Sequence, residues 1–426
     1  LPTATLPGYT FLGWYDAATG GNKIGDAGDS YTPTAAKTLY AHWQANKITV
    51  KFSGNGATGG ATADQVFTYD SAQALRANGF TRAYTVTYNG NFSGKTPTLG
   101  ATSQTATYTF KNWNNAAAGN GSYTYTNGQT VTNPNGATSG TTYLYAQWNS
   151  ASVKLPTATL PGYTFLGWYD AATGGNKIGG AGDSYTPTAA KTLYAHWSAN
   201  AITVKFSGNG ATSGSMTDQV FTYDTAQALK SNGFSRAYTV TYNGNFSGKT
   251  PTLGATSQTA TYTFKNWNNA AAGNGSYTYT NGQTVTNPNG ATSGTTYLYA
   301  QWNSASVKLP TATLPGYTFL GWYDAATGGN KIGDAGNSYT PTAAKTLYAH
   351  WQANKITVQF SGNGATGGAT ADQQFTYDTA QALRANGFTR AYTVTYSGNF
   401  AGKTPTLGAT SQTATYTFKN WNNAAA

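Results

Sequence analysis

The sequence predicts a mainly β (α+β) protein: a tandem array of small β-grasp-like modules drawn out into an extended rod. Three observations carry this. First, Leu1-Pro2-Thr3-Ala4-Thr5-Leu6-Pro7-Gly8-Tyr9 returns at Leu155 and at Leu309, so one 154-residue unit is written nearly three times, and a long fixed period is the mark of an array. Second, Tyr (32), Trp (11) and abundant Thr suit strands while Gly (52), Asn and Pro suit the turns between them. Third, apolar and polar residues alternate with period two, as half-buried strands require. The first two copies differ at eleven positions, and the third stops at Ala426, where the first has reached Ala118. The chain reads as a window cut from a longer array.

Each unit holds two related pieces. Thr38-Leu39-Tyr40-Ala41-His42-Trp43 closes one and Thr142-Tyr143-Leu144-Tyr145-Ala146-Gln147-Trp148 closes the other. Upstream, Tyr9-Thr10-Phe11-Leu12-Gly13-Trp14 is echoed by Tyr108-Thr109-Phe110-Lys111-Asn112-Trp113. Short modules at 1–43, 151–197 and 305–351 therefore alternate with long modules at 44–150, 198–304 and 352–426.

In the short module, strands are expected at 8–15 and 37–43, with a turn at Gly20-Gly21. The long module opens on a strand whose Ile48, Val50 and Phe52 face inward. A Gly-rich hairpin at 54–60 leads to the return strand Gln65-Val66-Phe67-Thr68-Tyr69. Val66 becomes Gln374 in the third copy, which puts that side outward and Phe67 and Tyr69 inward. Asp70 is the expected cap of a short helix over 71–78, ended by Gly79, with Leu75 and Phe80 as core contacts. Tyr84-Thr85-Val86-Thr87-Tyr88 then forms a strand, and Asn89-Gly90 signals a hairpin. Strands follow at 105–113, 129–132 and 141–148; in the last, Leu144, Ala146 and Trp148 share a face. Trp14, Trp43, Trp113 and Trp148 recur at strand ends, as core plugs do. Very short linkers between modules imply stiffness, and compact-module dimensions imply a length on the order of 150–200 Å. Nearest-neighbour packing should set stability, so loss of one module should not unfold the rest.

These boxes resemble the Listeria–Bacteroides repeat family, also called internalin B-repeats. The resemblance rests on Gly8-Tyr9-Thr10-Phe11-Leu12-Gly13-Trp14-Tyr15, Gly20-Gly21, Thr38-Leu39-Tyr40-Ala41-His42-Trp43, Val50-Lys51-Phe52-Ser53-Gly54-Asn55-Gly56 and Tyr143-Leu144-Tyr145-Ala146-Gln147-Trp148. It implies tandem β-grasp-like modules in large bacterial cell-surface proteins, often stalks or spacers for adhesins. Against that pattern the short modules lack a first hairpin and helix, and the long modules carry extra sequence over 83–105. The family implies no catalytic residue.

Chemistry is sparse. There is no Glu, and charged residues are 9% of the chain, so no facing carboxylate pair for acid–base work is evident and no enzyme is expected. The three histidines, His42, His196 and His350, sit where the long module has Gln147 and Gln301; a position that accepts Gln needs no titratable ring. Asp26 and Asp29 could suggest a calcium loop, but Gly180 and Asn337 replace one or the other in later copies. The 54–60 stretch lacks the Lys-Ser/Thr of a phosphate loop. Catalytic, cofactor and metal sites are therefore all read as none. A Lys–Asn or similar covalent cross-link loses one candidate where Lys51 becomes Gln359.

The net charge of +11 is thinly spread, with no basic stripe for nucleic acid and no apolar run long enough for membrane insertion in this window. Zero cysteines suit the expected bacterial extracellular, cell-surface or cell-wall-associated protein and fit many cytosolic proteins too. The expected partners are neighbouring modules of the same chain, identical chains in a fibre, and anionic or neutral glycans. Outward aromatics that could stack on sugars are Tyr40, Tyr145, Tyr84 and Tyr88. The readings in order are an adhesin stalk, a self-assembling filament subunit in which the Tyr84–Tyr88 strand serves as an edge, and a multivalent glycan-binding adhesin.

Overall fold

The computed structural model describes residues 1–424. The chain divides into two compact units: Leu1–Ile202 with Phe221–Thr225 and Gly290–Gly294, and Thr203–Val220 with Ala226–Asn289 and Thr295–Ala426. Both are made of β-sheets; the described residues contain no α-helix, only single 3-10 turns at Pro134–Gly136 and Pro288–Gly290.

In the first unit we label the principal strands β1 (Lys47–Ser53), β2 (Gln65–Thr68), β3 (Phe80–Asn89), β4 (Ser103–Tyr108), β5 (Phe110–Asn114), β6 (Thr124–Tyr125), β7 (Gly140–Trp148), β8 (Tyr163–Tyr169), β9 (Lys177–Gly179) and β10 (Lys191–Ala199). One sheet has the order β2-β1-β7-β5-β6. Its central pair is parallel, with Ile48 opposite Gly140 and Phe52 opposite Leu144; the other pairs are antiparallel. The alternation predicted for β1, β2 and β7 holds. Ile48, Val50, Phe67, Leu144 and Ala146 have no exposure and join Trp113, while Val66 is 54% exposed on the other face.

The helix expected over 71–78 is absent. Asp70 has φ of 57°, not the extended backbone of an N-cap, and exchanges hydrogen bonds with Asn133 through its own N–H and its carboxylate. The amides that would have closed helical turns point elsewhere. Leu75 N–H donates to the Gln129 carbonyl, Arg76 N–H to Gln65 Oε1 and Asn78 N–H to Asn127 Oδ1. Gln73–Ala74 pairs with Thr130–Val131 instead. A helix of two turns is marginal alone, and burying Leu75 under this small ladder wins.

The second sheet has the order β4-β3-β10-β8-β9. Again the central pair is parallel, with Val86 opposite Lys191 and Tyr88 opposite Leu193, and the rest is antiparallel. Thus β3 is bonded on both sides, not an edge, and Tyr88 is 4% exposed, not outward. Val86, Tyr88, Ala106 and Tyr108 share one core with Val153, Leu155, Ala158, Trp168, Leu193 and Ala195. The extra sequence of the long module is the first hairpin of the sheet that the following short module completes.

The two sheets are equivalent strand for strand. In the first, Asn55 Nδ2 donates to the Ala117 and Ala146 carbonyls and Trp148 Nε1 to Gly54; in the second, Asn91 Nδ2 donates to Ala172 and Ala195 and Trp197 Nε1 to Gly90. The chain therefore lays down half of the first sheet, half of the second, then completes each in turn. Trp148 packs against both cores.

Within the second unit the same second-sheet pairing recurs: Phe234–Asn243 bonds Ser257–Asn268 on one side and, in parallel, Lys345–Ala353 on the other. At the start of the chain Tyr9–Tyr15, Lys23–Gly25 and Tyr40–Ala45 form a three-stranded sheet. Its Trp14 is half-buried, whereas Trp168 and Trp322 have no exposure.

Candidate functional site

The residues singled out from sequence turn out to be fixtures of loops and turns. His42, His196 and His350 each place Nε2 2.9 Å from a loop carbonyl, those of Ala17, Ala171 and Ala325, and stack at 3.9 Å on Tyr15, Tyr169 and Tyr323. Gln147 Nε2 donates to the equivalent carbonyls of Ala116 and Ala117. One N–H donor is what the position needs, which is why His and Gln alternate there. We expect His196→Gln to leave the unfolding midpoint nearly unchanged and His196→Ala to cost about 1 kcal/mol in denaturant titrations.

The Asp26–Asp29 pair is a turn. Asp29 Oδ2 accepts the Asp26 N–H at 2.6 Å, Asp183 does the same for Gly180, and Asn337 for Asp334. An amide oxygen serves as well as a carboxylate, so the substitutions among copies cost little. Asp26 is also taken by Lys23, at 2.7 Å. The Lys51 position is a solvated pairing site: its counterparts Lys205 and Gln359 reach Asp218 and Asp372 at 2.9 and 3.1 Å. The 54–60 stretch is a hairpin connection, with Ala57 N–H on the Gly54 carbonyl and Asn55 locked as above.

Of the four tyrosines expected outward, Tyr40 is 39% exposed. Tyr84 and Tyr145 are half-buried, and Tyr88 is in the core. Tyr143 and Tyr297 are more exposed than any of these, at 48% and 49%, with Tyr123 and Tyr277 near 40%. They stack on Tyr145, Tyr299, Tyr125 and Tyr279. The signal for them was the strand period: Tyr143 faces away from Leu144.

One cluster was not foreseen. Tyr163 Oη donates to Asp224 Oδ2 at 2.9 Å, and Lys95, from the β3–β4 loop, pairs with the same carboxylate. Lys95 Nζ lies 4.6 Å from the Tyr223 ring centre and 5.4 Å from that of Tyr163. Phe92 meets Tyr163 at 4.6 Å. The second unit repeats the set with Lys249, Asp378, Tyr317, Tyr377 and Phe246. The Asp224 carboxylate holds the Lys95 ammonium above its ordinary range, and Lys249 holds Asp378 below the carboxylate range. Gly162 makes the approach feasible: at φ +82°, a Cβ there would lie 2.1 Å from the Tyr223 ring. This cluster is a fastening: the ammonium and the Tyr163 hydroxyl both close on the Asp224 carboxylate.

Burial raises the hydroxyls of Tyr88 and Tyr242 to about 12. The neutral phenol is favoured in the folded state, so this contribution is complete below the unfolded value near 10 and is lost as pH climbs from there toward 12. We expect unfolding midpoints to fall over that window, and the fall to shallow in a Tyr88→Phe/Tyr242→Phe chain.

No group of three or more metal-ligating side chains that could hold an ion occurs among the described residues. No helix of the described residues is long and apolar enough to cross a membrane.

Comparison with known proteins agrees with a repeat array. A protein of Evansella cellulosilytica named as a Gly-rich membrane protein is 25% identical over 431 residues, covering 86% of this chain and 41% of that one. Internalin H of Listeria monocytogenes is 46% identical over 72 residues, 17% of this chain and 12% of internalin H. The chain thus spans well under half the length of these relatives. No solved structure matches. The Listeria–Bacteroides repeat domain matches residues 1–42, 132–196 and 287–350. Each match ends at the strand of the short module that pairs with β8 or its counterpart, and the Val50–Gly56 box lies outside them. Repeats of this kind are modules of bacterial surface proteins such as the internalins, typically non-catalytic. Three segments of the chain are thus similar to the Listeria–Bacteroides repeat domain.

Proposed function

We propose that this chain is a load-bearing spacer of an extracellular bacterial surface protein, built from interleaved β-grasp-like modules. One observation carries the reading: the β3–β4 hairpin, inserted in the first sheet's chain path, completes the second sheet. Neither sheet can be stripped from the chain without passing through the other. Residues 46–79 with 109–150 make one module and 80–108 with 151–199 the next, a division that departs from 44–150 and 151–197. The β-grasp assignment is supported by the strand order second-first-fifth-third-fourth with first and fifth parallel. The position of the usual helix is taken in the second sheet by an extended stretch bearing Val153, Leu155 and Ala158. The Lys95–Asp224 fastening adds a side-chain lock where one module meets the next.

The test is single-molecule pulling on the 426-residue chain through its ends. A spacer of interleaved modules gives force-resisted steps in which both sheets release together, each freeing a whole repeat, on the order of 500 Å of extended chain. Separate steps of a short and a long module, or extension without resistance, would overturn the proposal.

A further inference from the structure

We propose that the outer face of strand β7, with its counterpart in the second unit, is a platform that binds neutral β-linked polysaccharide chains through Tyr143 and Tyr297. This goes beyond the spacer reading and holds whether or not the chain carries load.

Strand β7 places Tyr143 and Tyr145 two residues apart on one face, away from the buried Leu144. Their ring centres lie 6.4 Å apart with the planes within 24° of each other. Tyr297 and Tyr299 repeat the pair at 6.4 Å and 22°. The aromatic rings that build the sheet, Phe52, Phe67, Phe110 and Trp113, lie in or against the core on the opposite face. Tyr143 and Tyr297 instead keep about half of their surface in water. An aromatic on a sheet stabilises it by covering its cross-strand neighbours, and a ring left so exposed retains apolar surface that nothing in its own sheet covers.

The surroundings decide what that surface suits. Across the parallel pair Tyr143 lies opposite Lys51 and Tyr145 opposite Ser53. On the other side Tyr145 lies opposite Asn114, whose Oδ1 accepts the Ala116 and Gly121 N–H groups, so the 115–121 loop borders the rings. In the second unit Lys205 pairs with Asp218 at 2.9 Å. Asp218 holds the Lys205 ammonium above its ordinary range, chiefly through their hydrogen bond, and the Tyr297 phenol is near enough to add to the effect. The exposed Val66 is on this face too, but two strands away against Thr49. The rings are therefore framed by donors and acceptors and not by a continuous apolar patch.

A protein partner would want its aromatic anchor inside a desolvated apolar centre. A hexopyranose with equatorial hydroxyls matches the frame that is present: its C–H face lies on a ring, and its hydroxyl rim meets the Lys, Asp and Ser side chains. In β-linked chains of such sugars those C–H faces follow one another along a flat ribbon, as the two rings follow one another along β7. Charge selects a neutral chain over an anionic one, because Asp218 already engages Lys205 and leaves no net positive charge beside Tyr297. Each platform is small, and two on one chain add by effective concentration on a polymer surface, where many strands are within reach of both.

The experiment is depletion of the purified 426-residue chain from solution by cellulose and by chitin particles, alongside Tyr143→Ser/Tyr297→Ser and Tyr143→Phe/Tyr297→Phe. Both positions lie outside the cores, so both variants keep the fold, with unfolding midpoints close to the parent's. The parent should be retained on at least one of the two polymers and released by soluble cellohexaose or N-acetylchitohexaose. The serine variant should bind about tenfold more weakly or worse. The phenylalanine variant should match the parent, because stacking uses the ring and not the hydroxyl. Heparin should not compete. No retention on either polymer would overturn the proposal, and so would retention that the serine variant keeps in full. Binding that heparin displaces and salt abolishes would overturn it as well, since that is the net charge of the chain acting alone.

Discussion

Val86→Asp should unfold the sheet that contains Tyr163–Tyr169 and Lys191–Ala199, far along the chain, while the sheet holding the flanking β1 and β2 persists. Val86 has no exposure and lies among Tyr88, Trp168 and Leu193. A carboxylate there has no partner, and burying one costs several kcal/mol, on the order of 4. That is a large part of the stability of a small module. The sheet built on Ile48, Val50, Phe67 and Trp113 takes from β3 and β4 only the half-buried Phe80 at the very start of β3, six residues from the substitution, so its own cost is small. Val66→Asp is the matched control: 54% exposed on the outer face of β2, it should shift stability by less than about 0.5 kcal/mol. Denaturant unfolding followed by site-resolved hydrogen exchange distinguishes the two sheets. Were the modules to divide at 150 and 151, Val86→Asp would instead unfold the sheet holding β1 and β2 and spare Lys191–Ala199.

Trp148→Ala should weaken both sheets at once. Its ring touches both cores, and its indole N–H donates to the Gly54 carbonyl at 3.0 Å. Truncating a core tryptophan costs about 3–5 kcal/mol; here the loss divides between two modules. Trp113→Ala, within the first core alone, should cost as much and spare the second sheet. Unfolding both variants with probes in each sheet checks this: parallel losses for Trp148→Ala, one-sided loss for Trp113→Ala.

Much of the local structure was legible because it depends on side-chain period. Ile48-Thr49-Val50-Lys51-Phe52, Gln65-Val66-Phe67 and Leu144-Tyr145-Ala146 alternate cleanly, and burial follows them. The turn chemistry was legible for the same local reason: Asp29, Asp183 and Asn337 each cap their own loop. The helix was misread because Asp70, Leu75 and Gly79 satisfy helix signals locally, while the deciding partners, Asn133 and Gln129, lie some sixty residues away. The partnership of β3 with β10 was hidden for a different cause. Pairing between distant strands leaves no period, and the short module seemed merely truncated. A signal did exist. Thr49-Val50-Lys51-Phe52-Ser53-Gly54-Asn55 and Thr85-Val86-Thr87-Tyr88-Asn89-Gly90-Asn91 share their Thr-Val, aromatic and Gly-Asn positions. Gln65 through Tyr69 is likewise echoed by Gln104 through Tyr108. The supposed insertion is a second copy of the opening hairpin. The Lys95–Asp224 fastening joins residues 129 apart and had no sequence signature beyond its recurrence.

The central claim is that the β3–β4 hairpin belongs structurally to the short module that follows. The most direct test is hydrogen exchange of the amides of Lys191–Ala199 in the intact chain and in one lacking residues 83–105. The interleaved account predicts strong protection in the intact chain and its loss in the deletion, with the amides of Lys47–Ser53 still protected. Unchanged protection of Lys191–Ala199 after the deletion would contradict it.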